Sequence, residues 1–308
     1  MPAVGAFTCL LLMPATSVCA APSGPRLSVP ALGWVLSPDG SQLLEIAGLP
    51  ESPRPGRSLP LPRPARAVWS APDASAAILR LDDGFHLVRP DLPEPIVLLP
   101  VAEPEQPAPF TAAWDRASLA FAICYGPHCH EFDREGHPLA SIPATPGSHL
   151  FAYSRQSGLA LRTGDGSLLW LREGSALPLN GTVSAAAFRP GHAELWVLDP
   201  AGQLATFDSA GSRSPIAELI PDALGLAPSA DGATFFAAAG NSLAQVQVET
   251  RSVSIHSLED SVTGLWPAPG GLTVRLHDSP KRPISFWNGG SGVYASAPAL
   301  FASAPEVQ

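Results

Sequence analysis

Soft nucleophilic and ligating side chains concentrate in one stretch of this 308-residue chain, Cys124-Tyr125-Gly126-Pro127-His128-Cys129-His130. Cys124 and Cys129 flank a four-residue turn, so their Cβ atoms can face each other across a hairpin and close a disulfide in an oxidising compartment. The closed loop is small, which limits the bond to fixing local shape more than stabilising the whole molecule. The same cysteines with His128, His130 and His137 also offer soft metal ligands. Adjacent residues on a strand point to opposite faces, however, and this separates Cys129 from His130.

The order Cys-x4-Cys-His is also a longer-spaced form of a covalent haem attachment motif. A haem needs an open apolar pocket and usually a helical scaffold, neither of which a hairpin promises. The disulfide is the reading adopted, and no metal or cofactor is expected. Elsewhere, acidic corners at Asp82, Asp83, Asp165, Asp199 and Asp278 suggest a rim for a cation or a basic partner, but Asp is equally a standard turn former. No Gly-x-Ser-x-Gly elbow, His-Glu-x-x-His helix, phosphate loop or paired-carboxylate motif is present, so no catalytic residue is assigned.

The elements that must hold these residues come from a repeat. A unit of about forty residues, with a strand, a polar turn and a second strand, recurs seven times. Its clearest copy runs from Gly33 through Ser37-Pro38-Asp39-Gly40-Ser41 to Leu44. First corners at 38–40, 72–74, 115–117, 156–158, 190–192, 230–232 and 269–271 are hairpin turns. Second corners, third strands and short fourth strands follow in most copies. Four antiparallel strands per unit make the blade of a β-propeller, because one unit cannot bury its apolar faces alone. In the first copy, Gly48 to Arg57 reads as a proline-rich loop. Arg26 to Val29 is placed as an outer strand that latches the ring; used elsewhere, it would change the count to six or eight blades.

First strands carry Trp34, Trp69, Trp114, Tyr153, Phe188 and Trp266, with Leu226 in the odd copy. Such a ring could line a channel, but large side chains at this position also fill the space between blades, and packing is the reading adopted. Ser37-Pro38-Asp39-Gly40-Ser41-Gln42-Leu43-Leu44 and its relative Ser229-Ala230-Asp231-Gly232-Ala233-Thr234-Phe235-Phe236 resemble the short repeats of bacterial WD40-like propellers, the group that includes the TolB type. The Gly-His and Trp-Asp pairs of eukaryotic WD repeats are absent.

A net charge of −9 with scattered basic residues argues against a nucleic-acid partner. An apolar run and a small-x-small site fit a secretory signal over residues 1–20, although no basic residue precedes the run. Residues 21–308 then form one domain, and no segment is long and apolar enough for a stable membrane span. The chain is expected to be all-β, a seven-bladed β-propeller of four-stranded antiparallel blades, periplasmic or secreted. Its expected role is a non-catalytic module binding another envelope protein through loops around Asp82, Asp83, Tyr125, His128, His130 and Asp165. The alternative is a lactonase-like hydrolase with a cation held over the central channel. Carboxylates from at least three blades near the axis would favour that alternative, and a wall of Ala, Ser and aromatics would oppose it.

Overall fold

Polar corners between short apolar runs fold the chain into successive antiparallel meanders. The computed structural model describes residues 29–296 apart from 105–107, 173–174, 260, 271–272, 278–283 and 291. The expected signal over residues 1–20, Arg26 to Ser28 of the expected latch, and Asp278 lie outside the described residues; Val29 is exposed and in no strand.

The first sheet is β1 (Ala31–Leu36), β2 (Gln42–Leu49) and β3 (Ser52–Pro60). The second is β4 (Ala67–Ser70), β5 (Ala77–Leu81), β6 (Gly84–Val88) and β7 (Ile96–Leu98). The third is β8 (Phe110–Trp114), β9 (Ala120–Tyr125), β10 (His128–Asp133) and β11 (Pro138–Pro143). The fourth is β12 (His149–Ser154), β13 (Gly158–Arg162), β14 (Leu168–Arg172) and β15 (Ser175–Leu179). The fifth is β16 (Ala185–Phe188), β17 (Glu194–Leu198), β18 (Gln203–Asp208) and β19 (Arg213–Glu218). The sixth is β20 (Gly225–Pro228), β21 (Thr234–Ala239), β22 (Ser242–Gln247) and β23 (Val253–Ser257). The last is β24 (Gly264–Pro267), β25 (Thr273–His277), β26 (Ser285–Asn288) and β27 (Val293–Ser296).

Among the described residues there is no helix, six sheets have four strands, and the first sheet has three. The expectation of seven four-stranded blades is corrected accordingly to six. A second correction concerns the proline-rich segment, which is the edge strand β3 and not a loop. Pro53 and Pro55 pair with Gly48 and Ile46, and a proline is tolerated there because one side of an edge strand needs no donor. Where the register slips opposite Glu45, the Glu45 carboxylate accepts from the Arg57 backbone N–H at 2.9 Å and from its Nε at 3.1 Å.

The first strands lie side by side around an axis, β1 by β4, β4 by β8, and so on to β24. They converge because they are built from small residues, as in Ala185-Ala186-Ala187 and Gly225. Second strands are packed on both faces, so Ala77–Leu81 and Ala120–Tyr125 are buried throughout, whereas outer strands such as Pro138–Pro143 are largely exposed. An apolar cluster fills the space between each adjacent pair of sheets. Leu32, Val35 and Ile46 of the first sheet pack on Ala268, Ile284 and Phe286 of the last, which closes the ring. Trp196 of the fifth sheet stacks on Phe235 of the sixth, with centroids 4.1 Å apart, an arrangement that adds about 1 kcal/mol to the burial itself.

Candidate functional site

Inner strands run from the second-corner face of the ring to the first-corner face, and second strands run back. The two faces therefore carry different residues. Cys124 and Cys129 sit directly opposite in the β9–β10 register with Cα atoms 4.0 Å apart, and they form a disulfide. Gly126 opens the connecting turn with φ of 63°, the first position of a type II′ hairpin, which favours glycine. Both sulfur-bearing residues are buried against Leu150, Leu161 and Leu171 of the fourth sheet. The bond consumes both thiols, so in this state they serve neither as thiolate ligands nor as haem attachment points.

His128 and His130 lie on the other face of β10, their rings 5.9 Å apart; His128 is exposed at the hairpin tip and His130 half-buried. Burial holds the His130 imidazole below its usual pKa, with His128 adding to the effect. His137 is at the opposite end of β10, bonded to Asp133 at 2.9 Å. Among the described residues no group of three or more His, Cys, Asp or Glu side chains is placed to hold a metal ion.

Tyr125 faces inward between the second and third sheets. Its hydroxyl donates to Glu103 Oε2 at 2.7 Å, and Glu103 also takes a bidentate pair from Arg80 at 2.6 and 3.0 Å. The Arg80 guanidinium sits over the rings of Phe85, Tyr125 and Phe110 at 4.9, 5.1 and 5.8 Å. The arginine holds the Glu103 carboxyl below its usual pKa. Tyr125 thus supports the hairpin from inside.

The acidic corners are occupied by their own neighbours. Asp82 pairs with Arg66 at 2.6 Å, and Asp83 lies 3.9 Å from Arg63 and 3.8 Å from His86. Asp165 accepts from the Thr163 hydroxyl and from the Ser167 N–H, fixing its own turn. Asp199 does the same for Gln203 N–H at 2.8 Å. Asp165 and Asp199 thus act as turn formers, while Asp82 and Asp83 are engaged in side-chain pairs.

The axis encloses a channel of about 460 Å³. Of the first-strand aromatics, Trp34 is buried between sheets, its Nε1 donating to Ala74 O at 2.7 Å. The other five, Trp69, Trp114, Tyr153, Phe188 and Trp266, line the channel, and the first four of them also pack in the clusters between blades. The remaining wall is largely alanine, serine, threonine and leucine. Gly264 leaves room for the Trp266 ring, which a Cβ at that position would displace.

Two arginines mark the channel ends, and neither was singled out by sequence reasoning. Arg116, in the first corner of the third sheet, reaches across the axis; its Nε donates to Pro228 O and its Nη2 to Ala268 O, each at 3.3 Å. Burial lowers its pKa to about 10, despite the nearby Asp231, Asp115 and Asp73. At the second-corner end stands Arg162, 5.5 Å above the Phe151 ring and paired in register with His149. Burial, and then Arg162, push the His149 imidazole below its usual pKa. Among the described residues, no aspartate or glutamate lines the channel. A cation held on the axis by carboxylates, as the hydrolase alternative requires, has no donor set here among the described residues.

The sequence matches no family model and no curated protein. Solved structures share its architecture. PorZ, a bacterial surface component of the type-IX secretion system of Porphyromonas gingivalis, aligns with a TM-score of 0.58 at 12% identity over 89% of this chain. This chain spans only 39% of PorZ. Apo AztD from Citrobacter koseri aligns with a TM-score of 0.58 at 12% identity, covering 87% of this chain and 95% of that one. The β-propeller domain of Cps50 (Swd1) from Myceliophteria thermophila gives 0.56 at 13% identity over 75% of this chain and 85% of the other. At such identities these neighbours establish the fold alone, and that fold is the β-propeller.

Proposed function

We propose that the protein is a non-catalytic binding module of the bacterial cell envelope, exported by cleavage of residues 1–20, and that it engages another envelope protein through its second-corner face. The observation that carries this reading is the β9–β10 hairpin. Its disulfide fits an oxidising compartment, and its tip presents exposed Pro127 and His128 on a shape fixed from inside by Tyr125, Glu103 and Arg80. A rigid tip lowers the ordering cost of association. The TolB-type kinship suggested by the Ser-Pro-Asp-Gly corners belongs to the same proposal, as do Asp82, Asp83, His130 and Asp165 as the surrounding contact residues. PorZ provides a precedent for this fold at a bacterial surface.

The test is site-specific photo-crosslinking in an exporting bacterium. A photoreactive residue at His128 or Asp82 should give a discrete adduct with one envelope protein, while one at Arg134, beyond the far end of β10, should not. Equal labelling from both faces, or retention of the chain inside the cell with both thiols free, would defeat the reading.

A further inference from the structure

We propose that the axial channel is a binding site for a small organic anion with a flat apolar body, taken up head-outward so that its acidic group meets Arg162 and its body lies against the tryptophans. The mouth of this site opens on the same second-corner face as the protein-binding surface proposed above, but the channel reading does not depend on that proposal. Its volume of about 460 Å³ falls within the usual range of small-molecule pockets. Trp69, Trp114, Phe151, Tyr153, Phe188 and Trp266 present aromatic surface from five different sheets, which suits a planar guest.

Charge settles the sign of the ligand. The whole chain carries a net −9, yet among the described residues the only formally charged or readily protonated side chains lining the channel are Arg116, Arg162 and His149, with no carboxylate among them. An acidic protein has concentrated positive charge where the surrounding walls are of low dielectric, and such a wall focuses the field on an entering anion. Arg116 is already committed. It bonds two carbonyls on the far side of the ring and closes the first-corner end. Arg162 is different. Among the described residues it makes no ion pair, and its guanidinium is held above Phe151 by the ring face alone. It is exposed at the opposite mouth, with its donors open to a carboxylate, sulfonate or phosphate group. His149 stands beside it and limits the entrance.

The experiment uses a matched pair of fluorescent probes, 8-anilinonaphthalene-1-sulfonate and its uncharged counterpart N-phenyl-1-naphthylamine, titrated into the folded, oxidised protein. The sulfonate should bind one to one, weaken with added salt, and exceed the neutral probe by about tenfold, the size expected for a charge-assisted hydrogen bond. Arg162→Gln should remove that advantage and leave the neutral probe unchanged, while Arg162→Lys should keep the sulfonate within a few-fold. Leu98→Ser, on the outer edge of the second sheet, should change neither affinity. The proposal is overturned if the sulfonate fails to bind at millimolar concentration. Equal affinity for both probes overturns it, as does a loss of binding in Leu98→Ser without loss in Arg162→Gln.

Discussion

Reducing the Cys124–Cys129 bond should destabilise the protein by a small and calculable amount. The residues closed by the bond number six, counting both cysteines, from a sequence separation of 5. Loop-closure entropy for such a loop is worth about 2 kcal/mol at 25 °C. In a chain of this size that shifts the melting midpoint by about 4 °C. Replacement by serine is a harsher change than reduction, because Cys124 and Cys129 are 3% and 0% exposed among leucines and alanines. Two hydroxyls buried there without partners would cost a further ~2 kcal/mol or more. Urea unfolding followed by tryptophan fluorescence should therefore rank the oxidised protein above the reduced protein, and the reduced protein above the double serine variant. The double alanine variant should fall close to the reduced wild type. A loss of more than ~5 kcal/mol on reduction would refute the view that the staple acts locally. Equal stability of the serine and alanine variants would refute the burial of the pair between the third and fourth sheets.

Gly264→Ala should lower stability and alter near-ultraviolet circular dichroism, because the added methyl meets the Trp266 ring at 2.0 Å; unchanged spectra would place that ring elsewhere. Glu45→Ala should cost about 2 kcal/mol by stranding the Arg57 N–H at the β2–β3 irregularity, with faster amide exchange at Arg57 as the local readout. Acid should unfold the protein in two stages. His86, His130 and His149 titrate below their usual value, chiefly through burial, so the unfolded chain binds protons first and stability declines as pH falls below about 6.5. Asp39 is held at about 2 by the Ser37 hydroxyl, and stability present above about pH 4 is lost as pH falls through that value. Asp39→Asn should reduce the second stage without touching the first, the remainder coming from Glu103, Asp133, Asp165 and Asp231, which are also held below their usual values; a pH series of urea midpoints would show it.

Much of the ring was legible because its corner chemistry is local. Ser37 donates to Asp39 at 2.6 Å while Asp39 accepts from Ser41 N–H at 3.0 Å, and Ser229, Asp231 and Ala233 repeat the arrangement with the same two distances. A motif whose bonds close within five residues can be read without knowing the fold. The strand β3 was missed because its prolines obey edge rules that depend on which neighbours a strand has, and the compensating Glu45 carboxylate is twelve positions before the Arg57 N–H that it accepts from. Arg116 and Arg162 were missed for a related reason. Nothing near Asp115-Arg116-Ala117 marks it as reaching Pro228 and Ala268, since that contact exists only once the ring has closed. Of the six first-strand aromatics read as packing, Trp34 is buried between sheets, whereas Trp69, Trp114, Tyr153, Phe188 and Trp266 also face the axial channel, a position that depends on how the first strands stand around the axis.

Every sheet pairs its strands in the order in which they are synthesised, and this has a kinetic consequence. Hairpin contacts of short sequence separation can form blade by blade at little loop-closure cost. The junction of Leu32, Val35 and Ile46 with Ile284 and Phe286, together with the Asn288 to Glu51 bond at 2.6 Å, is a long-range exception, as are the Arg116 bonds across the axis to Pro228 and Ala268. The seam between the first and last sheets is expected to form late in folding and to open early in unfolding. Substitutions at this seam should therefore appear mainly in the unfolding rate and barely in the folding rate. The lifetime of the native ring, as distinct from its equilibrium stability, should respond to substitutions at the seam between its first and last sheets.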